Sequence, residues 1–586
     1  MQQLIDFFTQ VETGLQAVLS ALHPSSGIIT FIFRFIFPPI ALFVFFRCLM
    51  PLMSGGRQPR PWAYLALPNG LKMPLTHWEN SIGRAKSCDI VLEVPSVSRT
   101  HAVITRKKSH WFITDLHSTG GVRVNDEECS GLTPIQGGDK IELAGVELYM
   151  IPAIDAPDKP EVRHSFAERA ARLARKFKPG TTMLYIFLFQ LLGLIEISLA
   201  QASELSLLVP TVFLLFMLLE WMYYLFTRSK RRRYIEPELL AFFLCGIGLF
   251  GIATANPVAL FKQFATILLG LAFFLVLTYA LNNTARADKA RYALAIGAIA
   301  LLGLNLILAP TRFGARNWIH LGPISIQPSE FIKVAFVFVG ATTLDKLLTK
   351  QSLLRFIVFS AICVGAFAFM RDFGAALVFF TAFIVISFMR SGDVRMVGIM
   401  SAVAATGAFL AFTIMPYVQK RFAAWGHVWE VADAAGYQQT RTMIYTASGG
   451  MFGVGSGNGF LRYVAAADTD LVFGLVAEEW GLIIALICAL TPLALALYAF
   501  MSVKAGRSSF YAISACGAAM ILLMQAALNV FGSLDILPLT GVTLPFVSNG
   551  GSSMVACWGL LACIKSVDER HRAQNLPDSE VYVKNK

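Results

Sequence analysis

Apolar stretches of about twenty residues recur along this chain, first from Gly27 to Met50 and then again and again from Thr182 onward. A stretch of that length with few charges spans a bilayer as a helix, because inside the hydrocarbon its backbone polar groups must be satisfied locally. After Gly27–Met50, about twelve further spans start near Thr182, Leu205, Leu239, Ala259, Ala293, Phe331, Phe356, Gly374, Val397, Leu471, Phe510 and Leu544. The 586 residues are 56% hydrophobic and only 15% charged. The predicted fold class is therefore a polytopic α-helical membrane protein of about 13 transmembrane helices, with room for one soluble domain. A net charge of +12 raises the question of nucleic acid. The Lys and Arg residues mostly flank apolar segments, however, which is the positive-inside pattern and excludes nucleic acid as the expected partner.

The basic loops lie at Arg228–Arg233, Arg286–Arg291, Asp345–Arg355, Arg390–Arg395, Lys504–Arg507 and beyond Lys565. They alternate with loops poorer in charge, so the basic side is expected to be cytoplasmic and the loop that starts at Tyr417 to face outward. A cysteine at Ser456 in that loop is expected to be open to labelling from outside, and one at Ser96 closed to it. Residues 1–61 read as an amphipathic stripe (Leu4, Phe7, Phe8, Val11, Leu15, Val18, Leu19, Leu22) followed by an anchor helix. No basic segment precedes that anchor as in a cleaved signal, so its N-terminus is expected outside. Residues 153–181 form a basic, Pro-bounded linker expected to lie as a helix on anionic lipid. Residues 182–235 hold two further spans, and 567–586 form a cytosolic tail. The nine cysteines show no CxxC spacing and read as free thiols.

Residues 62–152 change character to short alternating runs (DIVLEV, HAVITRK, HWFITDL, KIELAGVELYMI) with turns between them, the pattern of an all-β sandwich. Gly83-Arg84, Ser98-Arg99-Thr100-His101 and Asp115-Leu116-His117-Ser118 resemble the forkhead-associated (FHA) family. That resemblance implies a cytosolic module that binds phosphothreonine peptides, the partner being a phosphothreonine protein or a Ser/Thr kinase substrate. Arg84, Ser98 and Arg99 are its phosphopeptide-binding candidates through charge-assisted hydrogen bonds, and His101 is expected to brace the loop from inside. The sequence departs where Gly120-Gly121-Val122 stands in place of the family's Asn-Gly-Thr. A sandwich with a purely structural role stays open at this point.

Four outward-facing stretches hold most of the unusual polar residues. They are Gly314–Lys333 (with Arg316, Trp318, Gln327, Glu330 and Lys333), Arg371–Gly374, the Tyr417–Gly481 stretch with Thr469-Asp470 and Glu478, and Leu537–Ser553. In that order they resemble the SEDS family that includes RodA and FtsW, whose ten-helix core falls on 236–566. The resemblance implies a peptidoglycan glycosyltransferase in the bacterial inner membrane, acting on lipid II beside a class B penicillin-binding protein, in division or elongation. It carries the family's catalytic carboxylate onto Asp470 and its functionally important Trp onto Trp318. Ala465-Ala466-Ala467-Asp468, Arg441-Thr442 and Asn549 depart from the family pattern.

Joining sugars from a polyprenyl-pyrophosphate donor needs a base for the acceptor hydroxyl and positive charge for the leaving group. Asp470 at a helix N-terminus suits the first task. Arg316, Lys333, Arg421 and Arg441 are candidates for the second, with Thr469 and Ser552 as further substrate-binding candidates. Asp372 is a rival base or metal ligand, expected to pair with Arg371. Glu330, Glu478 and Gln327 are expected to support the site, Glu478 lying two turns along the helix that follows Asp470. No cofactor is implied, and a divalent cation stays open. Two other readings also stay open: a flippase for lipid-linked precursors, and a silent scaffold that recruits phosphoproteins to the membrane.

Overall fold

The computed structural model describes residues 26–53, 61–152 and 177–568 with short breaks, among them 201–205, 311–315, 346–349 and 504–508, and a few positions at 13–16. The amphipathic stripe, the basic linker and the tail of the sequence reading lie largely or wholly outside the described residues.

Helix α1 (Ser26–Met53) leads into eleven strands. Five of them, β1 (Ala63–Ala66), β2 (Lys72–Leu75), β7 (Val122–Val124), β10 (Lys140–Leu143) and β11 (Val146–Pro152), join β8 (Glu127–Glu128) in one sheet ordered β2-β1-β11-β10-β7-β8. The second sheet runs β4-β3-β5-β6-β9, from β3 (Glu79–Gly83), β4 (Ile90–Val91), β5 (Ala102–Lys107), β6 (His110–Asp115) and β9 (Thr133–Ile135). Alternate residues such as Leu65, Ile82, Ile104, Ile113, Ile141 and Leu148 point between the sheets and are fully buried. This is the period-2 pattern of a sandwich with one wet face per sheet.

The membrane helices follow as α2 (Pro179–Ala200), α3 (Leu208–Ser229), α4 (Glu236–Ala255), α5 (Leu260–Leu281) and α6 (Thr284–Leu308). A two-strand ribbon, β12 (Ile319–Leu321) and β13 (Ile324–Ile326), precedes α7 (Pro328–Asp345), α8 (Lys350–Phe369), α9 (Phe373–Ser391), α10 (Val394–Ile414) and α11 (Pro416–Ala424). The chain closes with α12 (Tyr437–Gly449), α13 (Val472–Trp480), α14 (Leu482–Val503), α15 (Ser509–Ser533) and α16 (Gly551–Ser566). Among the described residues, nine helices are long and apolar enough to cross a membrane. The spans expected near Phe331, Phe356, Gly374 and Leu544 fall instead on α7, α8, α9 and α16, which lie outside those nine. Helix α4 is buried from Glu236 to Thr254 and α15 over most of its length, so these two form the middle of the bundle. Helix α10 has no buried residue and stands at the rim.

Two spans differ from their expected course. The helix expected to run on from Leu471 is interrupted after Trp480, because Gly481 takes φ +92° and a β-carbon there would lie 2.4 Å from the Met451 carbonyl. The loop thus crosses the helix axis at the glycine, where no other residue fits. The segment expected to begin at Leu544 becomes helical only at Gly551, with Val547 and Ser548 bonded back to Leu544 as turns ahead of it.

Candidate active site

The four polar stretches, far apart in sequence, meet in the structure. The first is tied to the second by main chain, Arg316 donating to the Met370 carbonyl at 3.0 Å, and by Asn317 Nδ2 donating to Asp372 Oδ2 at 3.3 Å. It is tied to the fourth where the Gln327 amide donates to Ser552 Oγ at 3.1 Å. The second meets the fourth at Gly374, whose missing side chain admits Thr540 and Val542; a β-carbon would come within 2.7 Å of Val542 Cγ2. Between those two residues Gly541, at φ +69°, lies against Asp470, with Oδ2 only 3.4 Å from where a β-carbon would be.

Asp470 is half-buried and sits in the turn that leads into α13, with Leu471 as the N-cap. Its main chain is fixed from both directions. Its amide donates to the Ala466 carbonyl, and its own carbonyl accepts from Asn529 Nδ2 at 3.0 Å. Asn529 lies buried on α15, and the same amide group also reaches the Val542 carbonyl at 2.8 Å. One side chain thereby sets the spacing between the Asp470 turn and the Gly541 loop. Next to it Ser548 Oγ donates to the Thr469 carbonyl at 2.6 Å while accepting from the Leu544 amide. Asn549 binds Asp468 twice, amide to carbonyl at 2.8 Å and Nδ2 to Oδ2 at 2.7 Å, and Asn256 at the end of α4 reaches the same oxygen at 3.4 Å. The result is a carboxylate at a helix N-terminus, where the helix dipole favours negative charge, on a turn whose backbone and neighbouring Asp468 are held by three surrounding segments.

The remaining candidates fall into different places. Lys333 is not available as a lone cation. It is buried on α7 and paired with Glu330 at 2.7 Å, which meets the requirement that a buried charge have a partner. Asp372 does not pair with Arg371 as expected. It caps α9, Oδ1 accepting from the Ala375 amide at 3.0 Å, while Arg371 turns outward at φ +62° and is exposed. Burial pushes the Asp372 carboxyl above the usual carboxylate range, against the Ala375 amide and Asn317, which favour its charged form. Glu478 does not share a helix with Asp470, since α13 starts only at Val472. Its two oxygens accept from the Phe460 and Leu461 amides, both at 2.8 Å, so it holds the loop. Arg316 is exposed and Trp318 half-buried. Arg441 lies over the Tyr437 ring and 3.6 Å from Asp433. Arg421 belongs to α11, with its side chain outside the described residues. Ser456 is fully buried and therefore not the open labelling site that was expected. Among the described residues, no three His, Cys, Asp or Glu side chains gather as metal ligands.

The second candidate site lies at one end of the sandwich. A β-carbon on Gly83 would lie 2.3 Å from the Arg99 carbonyl, so only glycine lets the strand before Arg84 approach the Ser98-Arg99 loop. Arg84 and Ala85 donate to the Ser98 and Arg99 carbonyls, leaving the Arg84 and Arg99 side chains exposed on either side. His101, fully buried, accepts from the Ser98 amide at Nδ1 (3.1 Å) and reaches the Gly121 carbonyl through Nε2 (2.9 Å). It braces both loops, as the sequence implied. Thr119, missed in the sequence, joins them: its amide donates to Ser98 Oγ at 3.1 Å and its own side chain is exposed. Gly120 has a packing reason. The Ala144 methyl of the β10–β11 turn would be 2.4 Å from a β-carbon there, so that turn occupies the space an Asn side chain needs.

Residues 249–573, more than half of the chain, match the family model for FtsW, RodA and SpoVE, described as a cell cycle protein. The chain belongs to that family. Residues 80–144 match the FHA domain. Among curated relatives, peptidoglycan glycosyltransferase RodA of Mycobacterium tuberculosis is 30% identical over 336 residues, covering 53% of this chain and 70% of that protein. The probable peptidoglycan glycosyltransferase FtsW of Coxiella burnetii is 30% identical over 333 residues, covering 53% and 90%. Among solved structures, the Thermus thermophilus rod shape determining protein RodA is 23% identical, covers 58% of this chain and 98% of its own, and gives a TM-score of 0.43. The family match starts within α4, so α1, the FHA domain, α2 and α3 precede it. The sequence singled out Asp470 and the Leu537–Ser553 stretch separately, without the contact between Asp470 and Gly541, and it gave no role to Asn529, Ser548 or Asn256. A lone Asn in the apolar helix α15 was the available signal, since polar side chains in membrane helices are rare and bonded.

Proposed function

We propose that this chain is a peptidoglycan glycosyltransferase that polymerises lipid II, with Asp470 as the base that takes the proton from the acceptor hydroxyl. The observation that carries this reading is the set of contacts that joins the first two polar stretches to the Leu537–Ser553 stretch, which in turn packs on Asp470 and, with Asn529, holds its main chain. Such fixing places the carboxylate before substrate arrives, which is where orientation contributes to rate. Arg316 and Arg441 are the described cations that suit the pyrophosphate, with Trp318, Thr469 and Ser552 lining the approach. Asp372, Glu330, Gln327 and Glu478 act by holding the surrounding loops. The multi-pass membrane domain carries Asp470 on the outer side and the FHA domain in the cytosol. The domain division that goes with this reading is an anchor at 1–61, the FHA sandwich at 62–152, a linker at 153–181, two added helices at 182–235, the catalytic core at 236–566 and a tail.

Two partners belong to the same reading. A class B penicillin-binding protein cross-links the glycan, and a phosphothreonine protein docks at Arg84, Ser98, Thr119 and Arg99. The reaction is tested with purified full-length protein and labelled lipid II, followed by gel separation of the products. Polymer from the wild type and none from Asp470→Asn supports the reading. Lipid translocation in vesicles without polymer would replace it with the flippase.

A further inference from the structure

The two helices on either side of the FHA domain in the chain, α1 and α2, reach the loop that leads to Asp470. Glu196, near the end of α2, accepts a hydrogen bond from the Ser456 amide at 3.1 Å, and both residues are buried. Opposite, Thr30 of α1 closes on Gly455: a β-carbon at that glycine would lie 2.2 Å from Thr30 Cγ2 and 3.3 Å from Glu196 Oε1. Phe35 of α1 meets Phe452 with ring centroids 5.0 Å apart, and Phe37 meets Trp480 at 4.9 Å. The bend at Gly453–Gly457, with φ of +80°, +98° and +73° at its three glycines, is thus gripped between two helices outside the matched family region.

From that bend a continuous run of short-range bonds leads to Asp470. Val454 and Gly455 donate to the Glu478 and Glu479 carbonyls at the end of α13. The Glu478 carboxylate then takes the Phe460 and Leu461 amides. Val464 bonds back to Leu461, Ala467 to Val464 and Asp470 to Ala466. The loop therefore fastens to the far end of α13 and returns to its start, and Glu196 is the one charged side chain from α1 or α2 bonded to it among the described residues.

We propose that Glu196 is a positioning residue of the polymerase and that α1 and α2 are working parts of its catalytic scaffold, not only an anchor for the FHA domain. This rests on the glycosyltransferase reading for its effect on rate. Losing the acceptor strands a buried amide and loosens the run that ends at Asp470. A shift of about 1 Å far from the chemistry costs up to ~10²-fold in rate.

The test compares full-length wild type, Glu196→Gln, Glu196→Ala and Asp470→Asn in detergent. Hydrogen exchange by mass spectrometry follows residues 456–470, and polymer yield from labelled lipid II gives kcat and KM. Glu196→Gln keeps an acceptor oxygen and is expected to match wild type in both readouts. Glu196→Ala is expected to exchange faster over 456–470 with α15 peptides unchanged, and to lose about 10- to 100-fold in kcat with KM little altered. Unchanged exchange over 456–470 in Glu196→Ala overturns the proposal, whatever the activity. Wild-type kcat in Glu196→Ala overturns it as well, provided that Asp470→Asn is inactive. If even the wild type makes no polymer, the glycosyltransferase reading fails, and the exchange data alone decide whether Glu196 holds the loop.

Discussion

Asp470, Asn529 and Gly541 act as a unit, because the Asn529 side chain ties the Asp470 turn to the loop in which Gly541 packs on Asp470. Asp470→Asn keeps size and hydrogen bonding but removes the basic lone pair, so polymerisation is expected to fall by about 10²–10⁴-fold at unchanged expression. Asn529→Leu acts differently. It leaves the Asp470 and Val542 carbonyls without their donor inside the bundle, at a cost of about 1–3 kcal/mol per orphaned group. Both the melting temperature in detergent and polymer yield should drop, and a variant with wild-type values in both would show that Asn529 does not set the turn. In the FHA domain, Arg84→Ala should weaken a phosphothreonine peptide by about 1.5–3 kcal/mol, read by calorimetry against the unphosphorylated peptide. Equal affinity for the two peptides in the wild type would leave the domain a structural role only.

At the level of elements, the break between α13 and α14 decides where the site can form. An unbroken helix from Leu471 would carry Asp470 and Glu478 on one face and leave no route for the Gly450–Gly459 loop to cross. Gly481 prevents that, with φ +92° and contacts of 2.4–2.7 Å from a virtual β-carbon to Met451, Phe452 and Gly453. Gly481→Ala is therefore expected to destabilise the membrane domain by at least about 1–3 kcal/mol from backbone strain alone, with clash added. A melting temperature within error of wild type would mean that the crossing loop yields easily. The same logic explains α16. Non-helical backbone from Leu537 to Gly550 is tolerated because its polar groups are met by protein, the Val542 carbonyl by Asn529 and the Leu544 amide by Ser548.

On the scale of the whole molecule, the alternation of basic loops predicts which side each part occupies. Ala434 is exposed in the polar stretch between α11 and α12, so a cysteine there should react with an impermeant maleimide in intact cells. A cysteine at exposed Ser96 in the FHA domain should not. The opposite pattern would invert the topology and put Asp470 on the side without polymer. The chain order also matters, because the FHA domain is inserted between α1 and α2, and these are the helices that grip the Gly455 bend. A saturating phosphothreonine peptide is expected to change polymer yield in wild type and leave it unchanged when Arg84 is Ala.

The sequence by itself determined the features that depend on period and composition. Runs of apolar residues gave the helices, alternation gave the sandwich, and Gly83, Ser98 and His101 marked the loops that His101 braces. It also marked Asp470, because four motifs in order carry that position. Only the tertiary structure decided which residues surround it. Asn529 and Asp470 lie 59 positions apart, Gln327 and Ser552 225, and Glu196 and Ser456 260. No local pattern encodes such pairs, since hydrogen bonds between distant segments form only after the helices have packed. For the same reason Lys333 read as a free cation and Arg371 as the partner of Asp372. Sequence shows the charge, but the partner is chosen by burial, and a buried charge takes whichever group the packed bundle brings within reach.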